Sequence, residues 1–537
     1  LTLKTAIDIF CPEKKQSIGL NRIPVKKNQE SLMDVFSTNF STIDWIIVMI
    51  YICIPVVIGV LVRKYIRGIT DFILAGRSLR LFIAIATLTG TELGLVTVMY
   101  NSELGFKHGF SAYHVALIES ICILAIGLTG FIVYKLRALR IMTIPEFYGK
   151  RFGRSVRIIG GTILALGGIL NMGLFLQAGA RFMMGVTGYG NMAGLKLFMS
   201  VMLIMVLVYT VLGGMVSVVL NDFLQFFVLS IGMLIGSIFV IKEIGWSQLF
   251  EIPATTDGVG WFNPVAEGSG FGGIYVMFMV VLSLSAGALW QSGTLRALSA
   301  KTPKTAKRLY AWSTISYMAR RAIPMLWGIG AYIFISKIPN LYAAFHGSDP
   351  LNSQFGMPIF IAKVLPSGLL GLLTAGMLAA FMSTHDSYFL SWSSVITQDI
   401  IAPLKKNRLS DKKRLFITRV CIVCIGLFLL LWGLWFEAPV SLWNYMAVTG
   451  TIYLAGAFTV VVAGLYWKKA SKTGATIALF AGLLAILGIG PWTQGDFVPW
   501  YLTDKFIGVM TFIIAFLGMV FGSLLFPDKQ KIEEVSE

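Results

Sequence analysis

Charge of either sign is scarce in this chain, and acid is scarcer than base. Asp, Glu, Lys and Arg make up only 13% of its 537 residues, against 56% hydrophobic ones. That balance overrules the three or four soluble domains a chain of this length would otherwise suggest. Histidine is rarer still, four in all. His108 and His346 fall in loops, His114 near the end of an apolar run, and none has a partner at a metal-ligand spacing. The five cysteines, Cys11, Cys53, Cys122, Cys421 and Cys424, have mostly apolar surroundings. They read as packing residues, Cys421-x-x-Cys424 included, because that pair lies within an apolar run and not beside a βαβ pattern. A P-loop, a G-x-S-x-G elbow and a dinucleotide fingerprint are also missing. Nothing points to an ATPase or another enzyme, and no organic cofactor is expected.

What is there is apolar sequence in lengths that cross a bilayer. Thirteen such segments stand at about 44–62, 81–105, 112–134, 156–187, 196–212, 216–240, 271–295, 309–337, 358–397, 415–436, 440–466, 473–491 and 506–526. The expectation is an all-α polytopic membrane protein with about 13 transmembrane helices, in a plasma or bacterial inner membrane and in contact with lipid. The net charge of +18 does not imply nucleic acid, because the Lys and Arg gather in short loops, as they do on the cytoplasmic side of membrane proteins. Heavy clusters at Arg63–Arg80, Lys135–Arg157, Arg296–Arg308, Lys405–Arg414 and Lys468–Lys472 alternate with poor loops. This predicts an amino terminus outside and a carboxyl terminus in the cytoplasm. Residues 1–41 read as a polar extension, and the basic stretch 1–32 as a disordered or mis-assigned start. No cleavable signal is evident, since the first apolar run lacks a small-residue cleavage motif and leads straight into Arg63 and Lys64.

The densest chemistry lies in Leu378-Ala-Ala-Phe-Met-Ser-Thr-His-Asp-Ser387, inside the ninth apolar run. Polar groups are costly at membrane depth, so such a cluster faces a protein interior, a cavity or an ion. At helical spacing Ala380, Ser383, Thr384 and Ser387 share one face, where a carbonyl and hydroxyls can converge on a small hard cation such as sodium. The bland alternative is that the hydroxyls bond back to their own helix. His385 beside them either titrates or faces a neighbouring helix.

The pattern Ala-Ala-x-Met-Ser-Thr-x-Asp-Ser resembles the eighth core helix of the sodium:solute symporter family, which includes proline, pantothenate, choline and sodium/glucose transporters. Other stretches are similar to that family in order and spacing: Thr143-Ile-Pro-Glu-Phe147 with Arg151-Phe-Gly153, Gly213-Gly-Met215 through Asn221-Asp-Phe-Leu-Gln225, Arg296 with Leu298-Ser-Ala-Lys301, and Tyr466-Trp-Lys-Lys-Ala470. Asn221 stands where Thr is usual, and Leu295 where Gln is. The resemblance implies a five-plus-five inverted repeat, residues 81–240 and 271–466 about an external loop 241–270, with the first helix of each half broken. Outside these lie a leading helix with its loop (42–80), two trailing helices (467–527) and a tail (528–537) too short for a signalling domain. Thr89–Gly94 and Ser285–Thr294 are the candidate breaks.

The resemblance also implies a sodium site made of backbone oxygens of Gly90, Leu93 and Ala380 with the hydroxyls of Ser383 and Thr384. A second cation locus is implied at Asp222, Ser383, Asp386 and Ser387. Two carboxylates in one low-dielectric pocket repel unless a cation or proton lies between them; otherwise Asp222 only caps a helix. Candidate solute contacts are Glu92, Glu119, Trp290, Gln291, Arg320 and Arg321. The four charged ones either pair with one another or, reaching a cavity with both signs, suit a zwitterionic or carboxylated solute such as an amino acid. The expected function is sodium-coupled symport of a small organic solute. A proton-coupled symporter using Glu92, Asp222 or Asp386, and a transport-like solute sensor, are the alternatives. Oligomeric state is not legible, and a monomer is the simplest expectation.

Overall fold

The computed structural model describes residues 35–62, 68–190, 192–251, 261–266, 269–347, 350–406, 409–436, 441–493 and 498–528. The polar extension up to residue 34 and the tail beyond residue 528 lie outside the described residues. Among the described residues the regular structure is helical, apart from one isolated bridge between Leu79 and Ala300.

The principal helices are α1 (Thr42–Val62), α2 (Leu81–Glu92), α3 (Leu95–His108), α4 (Tyr113–Thr129), α5 (Arg154–Met172), α6 (Phe175–Thr187), α7 (Met192–Ile244), α8 (Gly273–Leu289), α9 (Gln291–Ser299), α10 (Pro303–Ser336), α11 (Leu369–Val395), α12 (Asp411–Trp435), α13 (Leu442–Tyr466), α14 (Lys472–Ala481) and α15 (Asp504–Leu525). Helical backbone occupies part of each of the thirteen apolar segments. Among the described residues eight helices are long and apolar enough to cross a membrane, or ten if each of two bent pairs counts as one. Within α7, Gly214 leaves helical geometry at φ 51°, ψ −153°. A side chain is excluded there twice over, because that φ suits glycine and a Cβ would lie 2.4 Å from the Phe72 ring.

Burial is graded from the outside in. The outer faces of α1, α12 and α15 expose Ile50, Phe416, Trp435 and Phe516, as lipid-facing helices do. By contrast α11 is buried along almost its whole length, although it carries the polar cluster Ser383–Ser387. That is the expected arrangement for polar residues in an apolar medium. The elements around α11 approach closely where glycine permits. A Cβ on Gly105 of α3 would lie 2.1 Å from the Met325 carbonyl oxygen of α10, and one on Gly328 of α10 would lie 1.9 Å from the Ser102 carbonyl oxygen. Backbone therefore meets backbone, as is common between membrane helices.

The start of α11 is tied to α1 by a carboxylate that the sequence reading did not single out. Asp44, fully buried, accepts from the backbone N–H of Gly368 at 2.7 Å and of Gly371 at 2.6 Å. It also accepts from Ser41 N–H at 2.8 Å and the Ser367 hydroxyl at 2.9 Å. A negative charge at a helix N-terminus matches the free N–H groups and the helix dipole. Asp44→Ala should lower thermal stability, because each buried donor left unpaired costs about 1–3 kcal/mol. An unchanged melting temperature in detergent would show that water replaces the carboxylate there.

Candidate functional site

The break between α2 and α3 is two residues wide. Leu93 has φ −94°, ψ 68° and Gly94 φ −83°, ψ 161°, so the helical ladder stops and restarts, leaving carbonyls without their i+4 donors. Side chains supply the donors. The Thr384 hydroxyl of α11 donates to the Thr91 carbonyl at 3.2 Å. The Glu92 carbonyl accepts from Arg320 Nη1 at 2.7 Å and Thr97 Oγ1 at 3.2 Å. Glycine sets the fit: a Cβ on Gly94 would lie 2.1 Å from Thr384 Oγ1, and one on Gly90 would lie 3.4 Å from both Ser383 Oγ and the Asp222 carbonyl oxygen. Gly90 is thus brought beside Ser383, and Thr91 and Gly94 on either side of Glu92 and Leu93 beside Thr384, with Ala380 buried one turn earlier on α11.

Asp222 of α7 lies beside this locus and is fully buried. Hydroxyls of Ser383 and Thr87 donate to it in close hydrogen bonds, and Arg296 Nη2 of α9 pairs with it at 3.1 Å. The same Nη2 donates to Ser387 Oγ at 2.5 Å, and Ser387 donates in turn to Asp386 at 3.1 Å. Arg296 also donates from Nη1 to the Ser292 carbonyl at 3.3 Å, and it too is fully buried. The residues expected to form a second cation locus do gather in one cluster, and a guanidinium of the chain itself stands at its centre. The sequence reading had Arg296 only as part of a loop motif. Its chain position, six residues beyond the break at Trp290, could not show that it turns back into the core.

A cavity of about 100 Å³ adjoins the break. Thr91, Glu92 and Thr384 form its boundary with the ion-type locus, and Glu119, Trp290, Arg320 and Arg321 line it as well. The four charged residues are one cluster. Arg320 pairs with Glu92 at 2.8 Å and also with Glu119, which pairs closely with Arg321. Two positive and two negative groups leave the wall neutral. Arg321 lies over the Trp443 ring at 4.5 Å and Arg320 over Tyr317 at 4.0 Å, cation–π contacts that the sequence did not reveal. Trp290 takes the break between α8 and α9, with φ −64°, ψ 119°, and donates to Tyr388 Oη at 2.7 Å. The two breaks meet where Ser292 Oγ donates to Glu92 at 3.4 Å.

One sequence expectation changes, and one that was left open takes its second form. Gln291 does not line the cavity: it points the other way, its side-chain oxygen accepting from the Ile144 N–H at 3.5 Å, because the bend at Trp290 rotates the next residue out. His385 faces away from the ion-type locus, its Nδ1 2.9 Å from the Phe381 carbonyl oxygen and its ring packed on Phe381 and Phe175. Among the described residues no group of three His, Cys, Asp or Glu could hold a metal ion.

Residues 72–482 match the model of the sodium:solute symporter family. The chain belongs to that family. Its relatives include a sodium/glucose cotransporter of Vibrio parahaemolyticus, 24% identical over 82% of this chain and 84% of the relative. A sodium/proline symporter of Staphylococcus saprophyticus is 23% identical over 91% and 96%. A sodium/pantothenate symporter of Haemophilus influenzae is 25% identical over 87% and 95%. Among solved structures, a sodium-coupled sialic acid symporter aligns over 91% of this chain and all of its own, with a TM-score of 0.74 at 19% identity. A nucleobase-cation symporter aligns over 85% and 95%, with a TM-score of 0.52. These likenesses show the fold of sodium-coupled transporters. The symporter is a multi-pass membrane transporter and not an enzyme.

The four-ion cluster gives an ordered expectation. Glu119 holds both arginines, so Glu119→Gln should leave a buried cation uncompensated and cost about 3–5 kcal/mol. Glu92→Gln should cost less, because Arg320 keeps Glu119. Thermal unfolding of the two variants checks the order, and equal losses would contradict the pairing.

Proposed function

We propose that the symporter imports a small zwitterionic solute, amino-acid-like in chemistry, together with sodium bound by the carbonyl oxygens of Gly90, Leu93 and Ala380 and the hydroxyls of Ser383 and Thr384. The observation that carries this is the α2–α3 break, whose carbonyls meet the hydroxyl-bearing face of α11 on one side and a charged cavity on the other. Five oxygens suit a hard cation. Ser383 favours it further: its hydrogen is directed at Asp222, so its lone pairs are left for a metal. The neutral cavity wall favours a solute that is itself neutral overall but carries both charges. Such a solute can exchange partners with Glu92 and Arg320, whereas a simple anion would have to leave a glutamate unpaired.

Sodium ordering the break would raise solute affinity, and the loaded protein would then open to the other side by motion of residues 81–240 against 271–466 as inverted repeats. With the amino terminus outside, the sodium gradient and membrane potential drive import, the latter contributing about 2.3 kcal/mol per charge per 100 mV. Proton coupling through Asp222 is disfavoured by its pairing with Arg296.

Purified protein warmed with amino acids, betaines, sugars or carboxylates, in sodium or in potassium, tests the solute class. One zwitterion should stabilise by about 2.7 kcal/mol at a hundred times its dissociation constant, and only in sodium. Stabilisation by a sugar alone, or indifferent to sodium, would reject this assignment. Gly94→Ala tests the ion site, since the added methyl displaces Thr384. Sodium for half-maximal uptake should rise at least about tenfold, equivalent to 1.4 kcal/mol. Gly232→Ala, whose nearest neighbour is Leu373 at 3.4 Å, should change nothing.

A further inference from the structure

We infer that Asn171 is a solute contact, and that the solute is an amino acid whose side chain carries a hydrogen-bond donor. The inference rests on the zwitterionic solute proposed above and narrows it. Asn171 lies near the end of α5, is only 2% exposed and lines the cavity. Its amide nitrogen is used twice, donating to the Met446 carbonyl at 2.9 Å and to Thr449 Oγ1 at 3.0 Å, both on α13. A carbonyl only accepts, so the Met446 contact fixes which end of the amide is nitrogen. The other end, Oδ1, is buried and accepts from no group among the described residues.

One other residue of the cavity wall leaves a buried side-chain atom in the same condition. Arg320 commits Nη1 to Glu92 and Nη2 to Glu119, while its Nε–H has no acceptor among the described residues. Buried polar groups are nearly always paired, so two exceptions around one cavity point to what enters it. They are complementary, one donor and one acceptor, and they belong to different walls. Arg320 is on α10, which packs against α3 and α4, and Asn171 on α5, which packs against α13. At the first wall the charges of a zwitterion are matched, its ammonium by Glu92 and its carboxylate by Arg320. Asn171 Oδ1 is then left for a group further along the solute, and an amide oxygen accepts only from N–H or O–H. A hydroxyl or carboxamide side chain supplies such a group. An aliphatic side chain and the methyls of a betaine do not.

Near-isosteric amino acids test the donor. In the pairs L-threonine and L-valine, L-asparagine and L-leucine, and L-glutamine and L-methionine, only the first member has a side-chain donor. Thermal-shift titrations of purified full-length protein in sodium give the dissociation constants. In the pair of the right length the donor-bearing member should bind at least about tenfold tighter, because the other leaves Oδ1 buried and unpaired. Asn171→Leu should bring that ratio close to one, and Asn171→Ser, with a shorter reach, should do the same if the Leu variant fails to fold. Thr449→Val removes an acceptor from Nδ2 but leaves Oδ1, so the ratio should persist there even if both affinities fall. A merely structural asparagine would weaken both members alike and leave the ratio unchanged in its own variants, which would overturn the inference. Preference of the unaltered protein for the apolar members, or for proline or glycine betaine, would also overturn it and leave the zwitterion standing. Binding of a sugar and of none of these zwitterions would sink both.

Discussion

A helix that stops at membrane depth leaves peptide carbonyls with no water to satisfy them, and the centre of this protein is arranged around that problem. The break at Leu93–Gly94 frees acceptors that only neighbouring helices can fill. Thr384 takes the Thr91 carbonyl and Arg320 takes that of Glu92, so α10 and α11 are each fixed against α2 by a hydrogen bond to its backbone. The close glycine contacts, Gly94 on Thr384 and Gly105 and Gly328 between α3 and α10, bring those helices near enough for the bonds to form. Lipid-facing helices such as α12 add apolar surface outside this centre.

Much of this was legible because membranes simplify sequence. Apolar runs of spanning length marked the helices, and the hydroxyl-rich face of α11 was visible as Ser383, Thr384 and Ser387 at helical spacing. Both breaks fell within the stretches chosen for them, since Gly94 and the polar residues around Trp290 interrupt otherwise apolar runs. What stayed hidden depends on rotation and on long-range return. Gln291 and Trp290 are adjacent in sequence, yet a bend sends one into the cavity and the other away from it. Arg296 looked like the first residue of a basic loop, because clustering with Lys301 and Arg308 is what loop arginines do; only packing shows it turned inward to Asp222. Asp44 stood at the start of an apolar run like any polar boundary residue. Its role needs the N-terminus of α11, more than three hundred positions away, to be beside it.

Pairing among Glu92, Glu119, Arg320 and Arg321 was one of two readings the sequence left open, and the structure gives elements of both. The groups neutralise each other and also line the cavity. A fully enclosed cluster would contribute conformational specificity at best, and often less stability than an apolar replacement. One that borders a cavity can exchange partners with a solute. The exchange costs little when the solute brings both charges, and this is the physical content of preferring a zwitterion.

Coupling between ion and solute then needs no long path. Thr91 and Glu92 are consecutive: the carbonyl of the first faces α11 and its hydroxyls, and the side chain of the second faces Arg320 across the cavity. If sodium bound at Ser383 and Thr384, it would draw on the lone pairs of the Thr384 hydroxyl that donates to the Thr91 carbonyl, and the peptide that joins Thr91 to Glu92 would respond. Because the Glu92 carbonyl and carboxylate are both held by Arg320, a shift of that one peptide alters the position of the arginine that would meet the solute. A two-state element biased from both sides is the requirement for linkage between sites. On the proposed function the Thr91–Glu92 peptide at the end of α2 would be that element, with the ion on one face and the solute on the other.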